Sequence, residues 1–436
     1  MKKSEIIIIG GGPGGITAAL ETRKNYPKQK ITLIRKTEKS PIPCGIPYTF
    51  NSLDSIDKNI IPDEKLTDNN IELIIDEVIQ INKENKKIST PNFEMEYEKL
   101  ILATGSNPKS LPIKGLDENK HWLIKKDCPY LEKLRQAMLK AKEVVIIGGG
   151  FIGLEIADDL TKKEGKNITV IEAMDVCLGL AFDQEMAKKA QEALKEKKVN
   201  IITGAKVEKI EKGKVIYNNG QEIKNDLLIL SVGASPEITL AKKAGLEISS
   251  NNSIKINKYG QTSDKDIFAV GDCAQKIDFI TQKESPAMLA SIACLEARIA
   301  AINLYKKNKE NQGIISVSST KIADLTLASA GFNENICQKQ NIKFKTGPFE
   351  TFDHHPGSLP NSQKINCKLI FNQKNVLIGG EVMGPKTCGE IINIIALAIQ
   401  KKMTAQDLKY LQVGTHPLLT ASPIAYPIIK AAGSVL

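Results

Sequence analysis

The chain has 436 residues, of which 60 are Lys or Arg and 50 are Asp or Glu, giving a formal net charge of +10. At roughly 150 residues per domain, this length predicts about three domains. With 42% hydrophobic and 25% charged residues the composition is that of a globular protein, which excludes a largely disordered, collagen-like or coiled-coil chain. Basic and acidic residues alternate, as in 188–198, so we expect solvated surfaces and no nucleic-acid partner.

Eight cysteines are spread along the chain, and no two have the C-x-x-C spacing. This pattern excludes a disulfide framework, zinc ribbons and cluster motifs, so we expect no metal site. The longest apolar runs, 6–9 and 391–399, are too short to cross a membrane. Met1 to Lys3 lead directly into a predicted strand and leave no room for a signal peptide. We therefore expect a cytoplasmic protein without a membrane partner.

The first predicted unit opens the chain. A β-branched run, 6–9, leads into a glycine loop and then into a predicted helix over 16–24. The loop carries Gly10, Gly12, Pro13 and Gly15 in the spacing G-x-G-x-x-G. In this motif the first two glycines let the backbone approach a pyrophosphate and the third lets strand and helix pack closely, while the helix N-terminus faces the phosphates.

A second copy of this pattern lies further along the chain. The predicted strand 144–147 leads into Gly148, Gly150 and Gly153 and then into a predicted helix over 154–162. One such loop is weak evidence, because chance matches are common. Two copies in the same order of strand, loop and helix indicate two dinucleotide-binding units.

The repeat extends beyond the loops. The predicted strand 100–102 is followed by Ala103, Thr104 and Gly105, and the predicted strand 228–230 by a turn ending at Gly233. Each of these stretches closes a segment of short alternating strands, 88–97 in the first half and 215–223 in the second. We therefore expect two complete α/β nucleotide-binding units, each with an inserted β-meander.

The residue at the end of the second strand of such a unit contacts the ribose. In the later unit the strand 168–171 ends at Glu172, whose carboxylate can accept from both ribose hydroxyls and would repel a 2′-phosphate. This favours NADH over NADPH. In the first unit the strand 31–34 ends at Arg35 instead of an acid, although its glycines still predict a bound pyrophosphate. Glu38, in the following loop, is a candidate to replace the missing acid.

Cys44 follows in the loop after this strand, within Pro43-Cys44-Gly45-Ile46-Pro47. If 45–47 begin a helix, the thiol lies at its positive end, which favours the reactive thiolate. A lone cysteine is more often an inert packing residue. A position at the C-terminal edge of a nucleotide-binding sheet instead favours redox chemistry.

These features resemble the flavoprotein disulfide reductases with two dinucleotide-binding domains. Within them, the chain is similar to the single-cysteine branch of coenzyme A disulfide reductase, NADH oxidase, NADH peroxidase and NADH-dependent persulfide reductase. The most specific marks are 44–48, 103–105 and the stretch from Thr262 to Asp272. The resemblance covers essentially the whole chain. It implies an α/β fold with two Rossmann-like domains, for FAD and NADH, and a C-terminal α+β dimerisation domain.

The resemblance also implies domain boundaries and further cofactor contacts. The FAD domain would comprise 1–110 and 236–312, the NAD(H) domain 111–235, and the interface domain 313–436. In the FAD domain, Gly271 and Asp272 would hold the ribityl chain of the flavin. Glu155 would lie near the interface between nicotinamide and flavin.

Relatives with two active-site thiols carry the second one five residues after the first, where this chain has Thr49. Cys44 would therefore cycle through a sulfenic acid, a persulfide or a mixed disulfide with an external thiol. The remaining cysteines are best interpreted as packing residues: Cys128, Cys177, Cys273, Cys294, Cys337, Cys367 and Cys388.

The sequence pattern changes after about residue 313, with a distinct segment at 320–328, strands predicted near 364–371 and 376–382, and a helix predicted over 390–401. This region is similar to the interface domain of the family. That domain forms the dimer and completes the active site of the partner. We therefore expect a homodimer.

Two histidine segments lie in this C-terminal region. His355, in His354-His355-Pro356-Gly357, falls where coenzyme A disulfide reductases tend to have a tyrosine pair. His416, before Pro417, resembles the acid–base histidine of two-cysteine reductases, although the usual acid after His-Pro is missing. Imidazole suits this task because its unperturbed pKa is about 6.5. Tyr426 is a further candidate, and a purely structural role stays open for the histidines.

The implied activity is that of an FAD-dependent NAD(P)H:disulfide oxidoreductase. It would reduce a small-molecule disulfide or persulfide, of the coenzyme A disulfide type, through Cys44, with His416 or His355 protonating the leaving thiol. One alternative is an NADH oxidase or peroxidase that uses a Cys44 sulfenic acid with oxygen or peroxide. A second alternative is an electron-transfer flavoprotein that serves a redox protein.

Overall fold

The computed structural model describes residues 2–436 and divides them into two compact units. The first unit takes in residues up to Ser110, Leu123–Lys140 and Gly233–Ile314. The second takes in Leu111–Trp122, Ala141–Val232 and Ile315–Leu436. The finer division into three domains stays a prediction. Met1, the first residue of the segment predicted to lead directly into a strand, lies outside the described residues.

The first unit is built around a five-stranded parallel sheet. Its central strand, Ile6–Ile9, is fully buried and is followed by the glycine loop. Near-continuous apolar runs of this kind form strands that are covered on both faces, as parallel sheets require. The strands in spatial order are Ile267–Ala269, Lys99–Leu102, Ile6–Ile9, Ile31–Arg35 and Glu72–Ile75.

Smaller sheets and helices complete the first unit. A four-stranded sheet holds the predicted meander, in the order Lys2–Lys3, Glu94–Glu96, Lys87–Ser89 and Gln80–Asn82. Two strand pairs are Ser106–Pro108 with Ala234–Pro236, and Lys276–Ile277 with Glu284–Ser285. The α-helices are Pro13–Asn25, Glu64–Thr67, Cys128–Lys140, Thr239–Lys243 and Ala290–Ile302, and the 3₁₀-helices are Pro43–Thr49, Ile56–Asn59 and Gly271–Cys273.

The second glycine loop also follows the central strand of a five-stranded sheet. The strands in spatial order are Trp122–Leu123, Leu227–Leu230, Glu143–Ile147, Asn167–Ile171 and Asn200–Ile202. The second meander is formed by Val207–Glu211, Lys214–Tyr217 and Gln221–Lys224. The helices of this part are Phe151–Thr161 and Gln184–Glu196.

The C-terminal part of the second unit is a five-stranded antiparallel sheet with helices. The strands in spatial order are Val317–Ile322, Leu325–Gly331, Leu377–Gly384, Lys364–Asn372 and Phe344–Phe352. The α-helices are Glu334–Lys339, Cys388–Gln400, Ala405–Lys409 and Pro427–Gly433, with a 3₁₀-helix at Pro423–Ala425. The strand Phe344–Phe352 has no counterpart among the predicted elements.

Both helices after the glycine loops begin three residues earlier than predicted, at Pro13 and Phe151. The glycines conceal these helix starts in the sequence, because Gly is a poor helix former. Pro13 marks the true start, since proline is favoured in the first helical turn. Within residues 2–436, no helix combines the length and the apolar character needed to cross a membrane.

Candidate functional site

The two glycine loops have nearly identical backbones. Gly12 and Gly150 cap the helices with φ/ψ of −75°/−176° and −79°/−173°. Gly10 and Gly148 have positive φ, +116° and +108°, which favours glycine. A Cβ at Gly10 would lie 2.1 Å from the carbonyl oxygen of Ala103, and one at Gly148 would lie 2.3 Å from that of Ser231. Each loop is therefore packed directly against the next strand end of its own sheet.

The remaining glycines show where a ligand has room. A Cβ at Gly15 would lie 1.9 Å from the Gly10 oxygen, and one at Gly153 would lie 2.1 Å from the Gly148 oxygen, so both are needed for close packing of helix and strand. A Cβ at Gly12 or Gly150 would meet no atom of residues 2–436 within 4 Å. The backbone at each helix N-terminus is therefore open to the close approach of a ligand, as anion binding at a helix N-terminus requires.

Glu172 lies beside the second loop, as the sequence predicts. Its Oε2 accepts from the N–H of Gly149 at 2.6 Å, and its Oε1 accepts from the N–H of Met174 at 2.8 Å. These bonds fix the carboxylate at the end of the strand. Because each carboxylate oxygen has a second acceptor site, ribose hydroxyls can still bind there.

Arg35 is buried beside the first loop and bonded to its own neighbours. Its guanidinium pairs with both oxygens of Asp63, at 2.6 and 2.7 Å, and its Nε donates to the Thr37 carbonyl at 2.8 Å. It also donates to the carbonyl of Glu38, whose side chain is exposed. A Cβ on Gly11 would lie 2.5 Å from Arg35 Cδ. Arg35 therefore packs under the loop and fixes the backbone that carries Glu38.

The segments that follow the predicted strands 100–102 and 228–230 are hydrogen-bonded to each other in the first unit. Thr104 donates to the carbonyl of Glu237 at 2.6 Å, and the N–H of Glu237 donates to the carbonyl of Gly105 at 2.9 Å. Gly105 and Gly233 have positive φ, +75° and +94°. Both turns lead into the paired strands Ser106–Pro108 and Ala234–Pro236.

Asp272 lies in the 3₁₀-helix that follows the edge strand Ile267–Ala269, next to Gly271. Its carboxylate accepts from Ser106 Oγ at 2.7 Å and pairs with Lys126 Nζ at 3.1 Å. Burial alone would raise the pKa of Asp272, but the charge of Lys126 and the bond from Ser106 outweigh it, so the pKa is lowered. The structure thus holds an ionised carboxylate where the flavin ribityl contact is predicted.

Cys44 is exposed, in the first turn of the 3₁₀-helix Pro43–Thr49. This helix begins two residues before the predicted start at Gly45. Asn59 pins its start by donating from Nδ2 to the carbonyl of Ile42 at 2.9 Å. A Cβ on Gly45 would lie 2.0 Å from Asn59 Oδ1, so a larger residue there would displace the Asn59 amide that holds the start of the helix.

The other cysteines are placed differently from Cys44. Thr49, at the place of a second active-site thiol, is buried and donates to the carbonyl of Ile46 at 2.7 Å. Cys294 is partly exposed. The remaining six are buried, and burial raises their thiol pKa: Cys128, Cys177, Cys273, Cys337, Cys367 and Cys388. Their burial agrees with a packing role.

The structure brings the two histidine segments together. The N–H of His355 donates to the carbonyl of Pro417 at 3.0 Å, and its Nδ1 lies 3.0 Å from the carbonyl oxygen of Thr420. A carbonyl only accepts, so Nδ1 carries the proton and Nε2 has a lone pair. His416 is the reverse, because its Nδ1 accepts from the N–H of Leu418 at 3.2 Å.

The remaining aromatic candidates have other partners. His354 Nδ1 lies 2.7 Å from Asp353 Oδ1. Tyr426 is buried, and burial, with an added effect of Cys367, raises its pKa. Tyr426 therefore lies in the core of the unit with Cys367.

The chain matches known protein families over most of its length. The family model described as "Pyridine nucleotide-disulphide oxidoreductase" matches residues 4–293, and the model of the corresponding dimerisation domain matches residues 317–424. The chain belongs to the pyridine nucleotide-disulphide oxidoreductase family.

Named relatives of this family differ in substrate. The NADH oxidase of Methanocaldococcus jannaschii is 30% identical, with 99% of this chain and 98% of that protein covered. The NAD(P)H coenzyme A polysulfide/persulfide reductase of Pyrococcus horikoshii is 29% identical, with the same coverage of 99% and 98%. The crystal structure of reduced CoADR-RHD from Bacillus anthracis has a TM-score of 0.93 and 28% identity, covering 100% of this chain and 80% of that one.

As a member of this oxidoreductase family, the chain is an enzyme that uses FAD and NAD(P)H. The predicted fold class, two Rossmann-type domains and a C-terminal dimerisation domain, is confirmed. The residues present fit two dinucleotides, since both glycine loops are open at Gly12 and Gly150.

Glu155 lies in the helix Phe151–Thr161, which follows the second glycine loop. Its Oε1 accepts from the hydroxyl of Thr320 at 2.8 Å. Burial raises the pKa of Glu155 to about 7, while the bond from Thr320 lowers it and Asp158 raises it further. This carboxyl therefore changes charge near neutral pH.

The sequence does not predict several distant partners of these residues, among them Asp63, Lys126 and Thr320. They lie 28, 146 and 165 positions from Arg35, Asp272 and Glu155. No short motif joins residues so far apart. Only Arg35 gives a signal in the sequence, because a charged residue at the end of a buried strand needs an acidic partner such as Asp63.

Proposed function

We propose that this protein is an NADH-dependent flavoenzyme that reduces a small-molecule disulfide or persulfide through Cys44. The observation that carries the proposal is the contrast among the eight cysteines. Cys44 is exposed, Cys294 is partly exposed and the other six are buried. Since Thr49 replaces a second thiol, Cys44 would need an external sulfur species as its reaction partner.

In the proposed reaction, the Cys44 thiolate attacks one sulfur of the substrate. A bond forms between Cys44 Sγ and that sulfur, the S–S bond of the substrate breaks, and the leaving thiolate takes up a proton. Two electrons and a proton then reduce the mixed disulfide, which releases the second thiol and restores the Cys44 thiolate. When bound, FAD would supply the two-electron chemistry that links NADH to sulfur.

The residues that would hold the cofactors follow from the two loops. We assign FAD to the first loop, with Gly10, Gly12, Gly15 and Asp272, and NADH to the second. Glu172 supports NADH over NADPH, because a fixed carboxylate repels a 2′-phosphate. Glu38 is the proposed ribose contact on the FAD side, with Arg35 holding its backbone.

We assign the proton transfer to His355. Its Nε2 is available while Nδ1 stays bonded to the Thr420 carbonyl. The dimerisation domain supports a homodimer. In such a dimer this region would complete the thiol site of the partner. Tyr426 is a weaker candidate because it is buried.

The second candidate function is that of an NADH oxidase or peroxidase. The relative from Methanocaldococcus jannaschii, named NADH oxidase, favours it. Here the Cys44 thiolate would attack an oxygen of hydrogen peroxide, forming a sulfenic acid as the O–O bond breaks and hydroxide leaves and takes up a proton to become water. Reduction of the sulfenic acid would consume two electrons and one proton, release a second water and restore the Cys44 thiolate.

The test compares acceptors under anaerobic conditions, using purified enzyme, NADH, and either coenzyme A disulfide, a persulfide donor or peroxide, with an aerated sample beside them. We expect the sulfur acceptors to give the fastest NADH oxidation. Much faster turnover with peroxide or air would favour the second candidate.

The Cys44→Ser variant tests the role of the thiol. We expect sulfur-dependent turnover to fall by about 1000-fold or more, because the nucleophile is lost, while FAD stays bound. Cys294→Ser is the matched control and should keep wild-type turnover. Unchanged activity in Cys44→Ser would instead indicate an electron-transfer flavoprotein.

A further inference from the structure

A buried ion pair lies next to Asp272 and has no part in the function proposed above. The side chains of Lys276 and Glu296 are only 4% and 3% exposed, and their charged groups are 3.2 Å apart. Lys276 belongs to the short strand Lys276–Ile277, and Glu296 to the helix Ala290–Ile302. Burying both charges has a large desolvation cost, so net stability does not account for such a pair.

The hydrogen bonds of the pair converge on one residue, Gly271. The N–H of Gly271 donates to Glu296 Oε2 at 2.9 Å, and the carbonyl of Gly271 accepts from Lys276 Nζ. Both backbone polar groups of this glycine are therefore held by the two buried side chains. Lys276 also donates to the carbonyl of Ala274 at 2.7 Å, so the turn is fixed on either side of Asp272.

Two further observations show that the pair is tied to this turn. Gly271 has a φ of +74°, and a Cβ there would lie 3.3 Å from Ala293, so the helix packs directly on the turn. Glu296 Oε1 is buried and has no hydrogen-bond partner within the described part of the chain. A buried carboxylate oxygen without a hydrogen-bond partner costs free energy, so a fully satisfied network does not explain Glu296. Its bond to the N–H of Gly271 is the contact that accounts for its position.

We propose that Lys276 and Glu296 are positioning residues that hold Gly271 so that Asp272 presents its carboxylate to the ribityl chain of FAD. The inference rests on the proposed role of Asp272. It adds a pair of residues that act on FAD retention without touching substrate sulfur.

The test is the rate at which the holoenzyme releases FAD after dilution, followed by the rise in flavin fluorescence. In the double variant Lys276→Met/Glu296→Leu both charges are replaced by apolar groups of similar size, which buried pairs often tolerate. We expect FAD release to be about tenfold faster or more, since two charge-assisted bonds to the turn are lost. The absorption spectrum of the bound flavin should shift as well.

Two variants refine this test. Lys276→Met alone leaves Glu296 able to accept from Gly271, so we expect a smaller increase, about threefold. Lys368→Met breaks a buried pair in the second unit, where Lys368 binds Asp183. It should lower the unfolding temperature but leave FAD release unchanged, which separates positioning from general destabilisation.

Wild-type FAD release and spectrum in the double variant would overturn the proposal. If that variant does not fold, wild-type release in Lys276→Met overturns it. Asp272→Asn should also release FAD faster; if it does not, the role of Asp272 and the positioning pair are both wrong. Because the measurement uses no sulfur substrate, failure of the proposed sulfur reaction leaves this result unaffected.

Discussion

His355 and His416 differ in the hydrogen bond that each makes through its Nδ1 atom. Protonated His355 keeps its Nδ1–H bond to the carbonyl of Thr420. Protonated His416 would direct Nδ1–H against the N–H of Leu418, which now donates to it. At the scale of single residues, this difference supports the proposed acid–base role of His355.

This assignment predicts unequal effects of two matched substitutions. We expect His355→Gln to lower kcat with the preferred sulfur acceptor by about 100-fold, the usual contribution of general acid–base catalysis. His416→Gln should lower kcat less than about fivefold. Steady-state kinetics with both variants, each checked for full FAD content, measures the difference. A larger loss in His416→Gln would contradict the assignment.

At the scale of elements, the strand Val317–Ile322 carries Thr320, whose hydroxyl is hydrogen-bonded to the carboxyl group of Glu155 on the helix Phe151–Thr161. Thr320 donates to Glu155 and stabilises its charged form against burial. Asp158, on the same helix, raises the pKa of Glu155. Burial raises the pKa of Asp158 itself, and the charges of Lys162 and Lys321 lower it. The contact joins two elements that lie far apart in the chain.

Thr320→Val removes this hydrogen-bond donor without changing the volume much. The pKa of Glu155, about 7 in the native chain, should rise, so any pH dependence that Glu155 gives to flavin reduction should move to higher pH. Rapid-mixing measurements of flavin reduction by NADH across pH 5.5–9 would follow it, a range chosen around that pKa. Thr320→Ser keeps the hydroxyl and should keep the native profile. Identical profiles for all three proteins would show that the reduction step does not sense Glu155.

At the scale of the whole molecule, a buried charge cluster joins parts of the second unit that the sequence separates widely. Glu381 is 0% exposed and accepts from the N–H of Asp183 at 2.7 Å. Lys368 pairs with Asp183 and lies 3.3 Å from Glu381. Burial, followed by the charge of Asp183, raises the pKa of Glu381 to about 8.

This cluster predicts how stability depends on pH. Because the pKa of folded Glu381 lies above the value of about 4.3 in an unfolded chain, the folded state binds this proton more tightly. Its contribution therefore falls as pH rises from about 4 to about 8. Glu381→Gln removes the titration, so the loss of unfolding free energy between pH 5 and pH 8 should be smaller by roughly 2–4 kcal/mol.

Urea unfolding of the two proteins at several pH values measures this difference. Glu390→Gln, which changes an exposed glutamate, is the control and should follow the wild type. Parallel curves for wild type and Glu381→Gln would show that Glu381 is not a source of the pH dependence.

The local features of the fold could be predicted from sequence because each depends on neighbouring residues. A buried β-branched run followed by closely spaced glycines determines strand, loop and helix, and Glu172 and Cys44 lie at fixed offsets from such strands. The helix starts at Pro13 and Phe151 were placed too late, since propensity favours the residues after the glycines. The 3₁₀-helix at Cys44 begins earlier than predicted because Asn59, from another segment, fixes its first turn.

The two glycine loops, the candidate redox cysteine and the candidate histidines could be predicted from the chain alone, because each is a local pattern of residue type and spacing. The folded structure was needed to show which histidine nitrogen carries the proton, which lysine meets Asp272, and that Lys276 and Glu296 hold Gly271. The physical reason is that a hydrogen bond or ion pair depends on positions within about 3 Å, and for most of these groups the chain brings those positions together from segments far apart in sequence.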